Sequence, residues 1–344
     1  LLIHYISAFF YEICLNLPIV FVLYSYIIRV YLKNQFCNNI SMELINNLAE
    51  NYPKNKEPLI YNVVLEGGAF NGIYSGGALI LVKQLEKKHY LKVNKLSGAS
   101  VGALISFLYL MDKLDTLPKC FSKLRNSFRN DFNFSVIDDI IKDYINDLDD
   151  ETFDTFKDGR LYITYHTDAG ERIIQSKFNN KKDLEHALIK SSHLPFITTK
   201  NCYREFDNTK YLDGGTPYVF RDIGEPNGKK YTLYLNNTIW NRYLVVKKEH
   251  NAYGRLLEGA LDAHNFILKN QKGFLCSYIE NWSSTDYFIL RSKELFFITC
   301  VIFMKYILII NKYLKPFIKD IVIYKIAHSF IKECVTDFLL IKCL

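Results

Sequence analysis

Two short apolar runs, each closing on glycine, constrain this chain more than any other feature. "LIYNVVLEGG" (59–68) is rich in β-branched residues and ends on Gly67 and Gly68; "LKVNKLSG" (91–98) repeats the form and ends on Gly98. Each reads as a buried strand. Gly72 to His89 follows the first, with apolar Ile73, Leu79, Ile80 and Leu85 and with Lys and Glu gathered at its end, which is a helix pattern. Val101 to Leu114 follows the second and is a strongly apolar helix. Strand, glycine turn and helix, stated twice, predict an α/β fold whose parallel sheet is covered by helices.

The rest of the chain extends the same layout. Residues 115–158 read as helical but poorly patterned, and 160–178 as two strands around Asp168-Ala169-Gly170. A helix is predicted over 182–192, a strand and turn over 210–217, a strand over 229–237 and a helix over 251–272. No internal repeat or low-complexity linker interrupts them. With 344 residues, 49% of them hydrophobic, the chain can bury a large core and is not disordered.

Charge and cysteine narrow the function classes. A net charge of +7 is mild for this length, and no compact Lys/Arg block with interleaved aromatics appears, so nucleic acid is not an expected partner. The eight cysteines are scattered, with no C-x-x-C and no paired Cys/His spacing. They read as free thiols in a reducing compartment, cytoplasmic or at a membrane, and neither a metal site nor a cofactor is expected.

Both ends are apolar. Residues 13–28, "ICLNLPIVFVLYSYII", precede Arg29 and Lys33 and read as a short membrane helix kinked at Pro18 or as an interfacial one. No basic residue precedes this run, which argues against a signal peptide, and the start at Leu1 leaves the true N-terminus open. From residue 291 onward, nine basic residues face four acidic ones within an apolar pattern that includes "LFFITCVIFMKYILII" (295–310). That mixture suits a lipid-surface or transmembrane helix. The expected organisation is an apolar segment over 1–50, a central α/β domain over 55–290 and an apolar, basic helical segment over 291–344.

Three features carry chemistry. Gly98-Ala99-Ser100-Val101-Gly102 sits between a strand and a helix, the pattern of a nucleophile elbow that leaves the Ser100 hydroxyl exposed above the sheet. The helix beginning at Val101 aims its free N–H groups at the same place. "GGAFNG" (67–72) turns between the first strand and helix and offers the amides of Gly68 and Ala69 as oxyanion donors beside that of Val101. It matches neither G-x-G-x-x-G nor a P-loop, so a phosphate cradle is disfavoured. Asp213, in "YLDGG" before Gly214 and Gly215, is the candidate base. No histidine occupies an obvious turn after a late strand, although His250 or His264 would serve a conventional Ser-His-Asp triad. His193, in "SSHLP", reads as a loop residue near the site.

"LEGGAFNGIYSGGAL", "LSGASVGAL", "SSHLPFIT" and "YLDGG", in this order, resemble the patatin-like phospholipase domain over about residues 59–237. The resemblance implies a three-layer α/β/α fold and hydrolysis of lipid acyl esters through an acyl-enzyme, with no metal. It also implies a Ser–Asp dyad: Ser100 as nucleophile, Asp213 as base, and Gly67, Gly68 and Ala69 as the oxyanion loop. Gly72, Gly98, Gly102, Gly214 and Gly215 support these turns. Two positions depart from the family pattern. Ala69 replaces a third glycine, so the loop must either keep Ala69 at negative φ or carry about 1–2 kcal/mol of strain. Asn71 replaces a basic residue, which leaves the substrate head group open. A membrane-associated scaffold that keeps the fold without catalysis is the alternative.

Overall fold

In the computed structural model, the described residues are 43–318, apart from 51, 53–56, 132, 221–229, 238–251, 270 and 272, together with 325–326 and 329–330. The centre of the fold is four parallel strands. β1 (Leu59–Leu65) pairs with β2 (Leu91–Ala99) on one side and β7 (Lys230–Leu235) on the other, and β2 pairs with β3 (Leu161–Thr167). Antiparallel strands finish both edges. β4 (Arg172–Gln175) and β6 (Thr209–Leu212) pair with β3, β5 (Arg204–Phe206) with β6, and β8 (Cys276–Tyr278) with β7. The sheet order is β5-β6-β3-β2-β1-β7-β8, a mostly parallel centre flanked by helices, as the strand–turn–helix pattern predicts.

The helices are α1 (Gly72–Lys87), α2 (Val101–Leu110), α3 (Leu117–Asp131), α4 (Val136–Asn146), α5 (Asp150–Lys157), α6 (Lys181–Ser191), α7 (Ala252–Lys269) and α8 (Ser284–Ile318). The central strands are buried on both faces: Val63, Val64 and Leu65 in β1 and Leu233 and Leu235 in β7 are inaccessible to solvent. Such strands read as unbroken apolar runs rather than alternating ones. β1 and β2 run parallel, so their carboxyl ends, where the two glycine turns lie, meet on one edge of the sheet. Ligands of open α/β sheets bind outside such ends.

α8 is unusual. Its first turns pack on the body, with Leu290 and Val301 buried, while Leu295, Phe296, Ile302, Phe303 and Tyr306 face solvent. Among the described residues no helix is long and apolar enough to cross a membrane. The transmembrane helix expected from the terminal runs is therefore not supported; in α8, Lys305 interrupts the apolar stretch and Lys293 and Glu294 are tied to the body. Residues 13–28, the other candidate, lie outside the described residues. Cys120, Cys202, Cys276 and Cys300 are free thiols.

Candidate active site

Ser100 is the link between β2 and α2, at φ 54° and ψ −130°, a conformation that L-residues rarely adopt. Tight packing explains why glycine flanks it. A Cβ on Gly98 would fall 2.4 Å from the Ala103 nitrogen, and one on Gly102 2.5 Å from the Leu65 oxygen. The turn is held by the Ser100 amide, which donates to Ser191 Oγ at 2.9 Å; that hydroxyl in turn donates to the Thr164 carbonyl at 2.7 Å. Ser100 stands at the amino end of α2, where the first amides have no partner within the helix.

Asp213 follows β6 and is almost wholly buried. Its amide donates to the His193 carbonyl at 3.1 Å, and the Gly214 amide to the Ser191 carbonyl at 3.2 Å. The end of α6 thus holds both the elbow and the Asp213 turn. Oδ1 accepts from the Gly215 amide at 2.8 Å. Oδ2 has no aligned hydrogen bond among the described residues. The Ser100 hydroxyl is nonetheless close enough to favour the ionised carboxylate. Catalytic hydrogen bonds are commonly long or poorly aligned before substrate binds. Burial dominates, and pushes the Asp213 carboxyl up from 3.8 to about 7, against the opposing pull of Ser100 and the Gly215 amide.

The glycine turn after β1 lies beside these two groups. A Cβ on Gly67 would meet Ser100 Cβ at 3.2 Å and the Gly215 oxygen at 3.1 Å. Gly68 and Ala69 open a short 3-10 turn over Ala69–Asn71, so their amides are free of helical partners. Ala69 sits at φ 47°, which is the strained alternative that its side chain left open. Asn237 fastens this loop. Its Nδ2 donates to the Glu66 carbonyl at 2.8 Å, and its Oδ1 accepts from Ser75 Oγ at 2.6 Å. Asn71, in place of a basic residue, donates to the Asn237 carbonyl at 3.3 Å and so stitches the loop to its support. Gly72 packs against Val101, bringing the starts of α1 and α2 together.

An apolar cavity of about 880 Å³, measured to its open mouth, extends from Ser100 between α2, α3 and α4. Ala69, Phe70, Val101, Leu104, Phe134 and Leu194 line it near the serine, and among the described residues no charged side chain borders it.

Residues 63–222 match the family described as patatin-like phospholipase. The chain carries a patatin-like phospholipase domain. No curated protein matches the chain. At family level the domain is that of a lipid acyl hydrolase.

The histidines described near the patatin-like site are engaged elsewhere or pushed toward the neutral form by burial. His166 Nδ1 lies 3.0 Å from the Asp213 carbonyl, and burial lowers its pKa. Burial also pulls His193 down to about 4. His264 packs its ring 5.5 Å from Tyr52, on α7, and His250 lies outside the described residues.

Sequence reasoning missed the clamp that α8 places on the patatin-like site. Lys293 pairs with buried Glu66 at 2.9 Å, immediately before the Gly67 turn. Glu294 pairs with Arg172 at 3.6 Å, and Arg172 donates to the carbonyls of Thr216 at 3.2 Å and Pro217 at 2.6 Å, just past Asp213. The Phe297 ring lies so near Gly215 that a Cβ there would come within 2.9 Å of it. One turn of α8 therefore braces the segments on both sides of Ser100. Nothing local in "RSKELFF" signals this, because the partners lie far away in sequence.

Proposed function

We propose that the patatin-like domain hydrolyses lipid acyl esters through a Ser100–Asp213 dyad and an acyl-enzyme. The observation that carries this reading is a serine on a strained elbow beside the buried carboxylate of Asp213, opening on an apolar cavity. Asp213 takes the Ser100 proton as Oγ attacks the ester carbonyl. The amides of Gly68, Ala69 and Val101 receive the developing oxyanion; such a donor is typically worth about 3–4 kcal/mol. The tetrahedral intermediate collapses, Asp213 passes its proton to the departing alcohol, and the acyl group stays on Ser100. Water then gives a proton to Asp213 and attacks the acyl carbonyl. On collapse the proton returns to Ser100 and the fatty acid leaves. A carboxyl near 7 suits this shuttle, since a general base works best with its pKa near the working pH. No metal enters the scheme.

The reading includes a lipid surface as partner. The exposed apolar residues of α8, with exposed Arg291 on the same helix, form an amphipathic face suited to the boundary between head groups and acyl chains. The hydrolase domain proposed for 55–290 then works with the start of α8, and the apolar segments 1–50 and 291–344 associate with lipid in a reducing compartment. Lipid hydrolysis by the full chain, beside Ser100→Ala and fluorophosphonate labelling, tests the proposal. Labelling at Ser100 and loss of hydrolysis in the variant are expected. A folded, lipid-bound chain that neither labels nor hydrolyses would point to the scaffold instead.

A further inference from the structure

The cavity beside Ser100 has a far end with a different chemistry. Val101 and Leu108 both line it, and from one to the other α2 rises about 10 Å at ~1.5 Å per residue. Ile137 and Tyr144 both line it from α4, with the same spacing. Phe134, one turn before Ile137, packs on Phe70 at 5.3 Å, next to the Ala69 turn. The other limit is fixed by hydrogen bonds. The Tyr144 hydroxyl donates to Thr116 Oγ1 at 2.5 Å, Thr116 donates to the Lys113 carbonyl at 2.6 Å, and the Lys113 amide donates to the Leu108 carbonyl at 2.9 Å. Tyr144 thus stands at the carboxyl end of α2, while Ser100 stands at its amino end. Cys120 Sγ, 3.3 Å from the same phenol oxygen, completes the group.

From these contacts we infer that Tyr144 ends the acyl channel and sets the chain length that the site accepts. The inference rests on the reading of Ser100 as the acylated residue. An extended alkyl chain advances about 1.25 Å per carbon, given a C–C bond near 1.52 Å and an angle near 111°, so roughly eight carbons fill the space. Up to that length, each added methylene leaves water for an apolar wall and tightens binding about fourfold. Beyond it, the chain meets a phenol whose proton is committed to Thr116 and whose oxygen is held by Cys120. To pass, the chain must break both contacts and leave polar groups facing hydrocarbon. Phe70, Val101, Leu104, Phe134 and Leu194, which line the cavity near the serine, are apolar and hold no such hydrogen bonds across it. The substrate class is therefore esters of medium-chain acyl groups.

The experiment measures fatty-acid binding and ester hydrolysis separately on the full chain. In Ser100→Ala, affinities for hexanoate, octanoate, decanoate, dodecanoate and hexadecanoate are expected to rise about fourfold per carbon to octanoate or decanoate and then flatten. Adding Tyr144→Ala should move the break to dodecanoate or beyond and tighten hexadecanoate at least tenfold. Leu104→Phe, nearer the serine, should move the break toward hexanoate, and it provides an independent result should Tyr144→Ala fail to fold. Tyr144→Phe keeps the ring but frees it, and should soften the break without moving it. In the protein with Ser100 intact, the kcat/KM profile for the matching nitrophenyl esters should follow the same breaks. A break unmoved by Tyr144→Ala or by Leu104→Phe overturns the inference. Breaks that move as stated in a protein that hydrolyses none of the esters would sink the hydrolase reading alone.

Discussion

The two turns at the site both hold a non-glycine residue at positive φ but are supported differently. Ser100 at φ 54° and Ala69 at φ 47° both occupy the left-handed region, each at the end of a parallel strand. Around Ser100, backbone packs so closely against Gly98 and Gly102 that no other residue fits, and Ser191 binds its amide. Around Ala69 the support comes from side chains far away in sequence: Asn237, reaching in from the end of β7, and Lys293, paired with Glu66. The elbow is fixed by close backbone packing at the glycines beside it, whereas the proposed oxyanion loop depends on distant side chains. Strain persists only where surroundings enforce it, so the two turns should respond differently to substitution.

The largest effect should come from the elbow's chemistry. Ser100→Ala is expected to remove hydrolysis with the fold intact, as followed by product release and thermal melting. Next is the elbow's geometry. Gly102→Ala forces a Cβ onto the Leu65 and Glu66 carbonyls, and should cost several kcal/mol with loss of activity, measured by urea unfolding.

Asp213 ties the comparison to pH. As the proposed base it must be ionised, so kcat/KM should rise with pH through about 7 and level off above it. For stability the sign is opposite. A carboxyl raised from 3.8 to about 7 binds more protons folded than unfolded, so its contribution is fully present below about 3.8 and is lost as pH rises through about 7. Asp213→Asn should therefore be inactive yet more stable than the parent at pH above 7, with the difference vanishing in acid; equal melting curves at both pH values would refute the burial argument.

The smallest effect should fall on the weaker turn. Ala69→Gly relieves the positive φ and should stabilise the protein by about 1 kcal/mol while keeping most activity. Asn237→Ala, which removes the brace, should lower kcat more than it raises KM, because the oxyanion amides lose their placement. If Ala69→Gly destabilises the protein, the two turns are not strained alike.

The contrast also accounts for what was legible in the sequence. The elbow could be read because its constraint is local: glycines two residues to either side of a serine, between a strand and a helix, fit little besides a tight turn. The parallel sheet centre was legible from the runs at 59–68 and 91–98 for the same reason. The strand β8 (Cys276–Tyr278) was not, since three residues give no periodicity. Ser191, which opens one of the resembling segments, was legible as a neighbour of the site but not as the hydrogen-bond hub for Ser100. Ala69 could be named as strained or not, but only the backbone decided it. Asn237, Arg172 and the α8 clamp could not be found by pattern, because they act through contacts spanning many residues of chain.

That clamp bears on how the protein can be handled. Glu66 and Arg172 each send a charge toward a helix that begins only at Ser284. Trimming the carboxyl terminus at residue 290, where composition alone suggests a boundary, would strand both charges and strip the ring from Gly215. A nick by a protease in the first turns of that helix would do the same, switching off the proposed catalytic centre without touching its own residues.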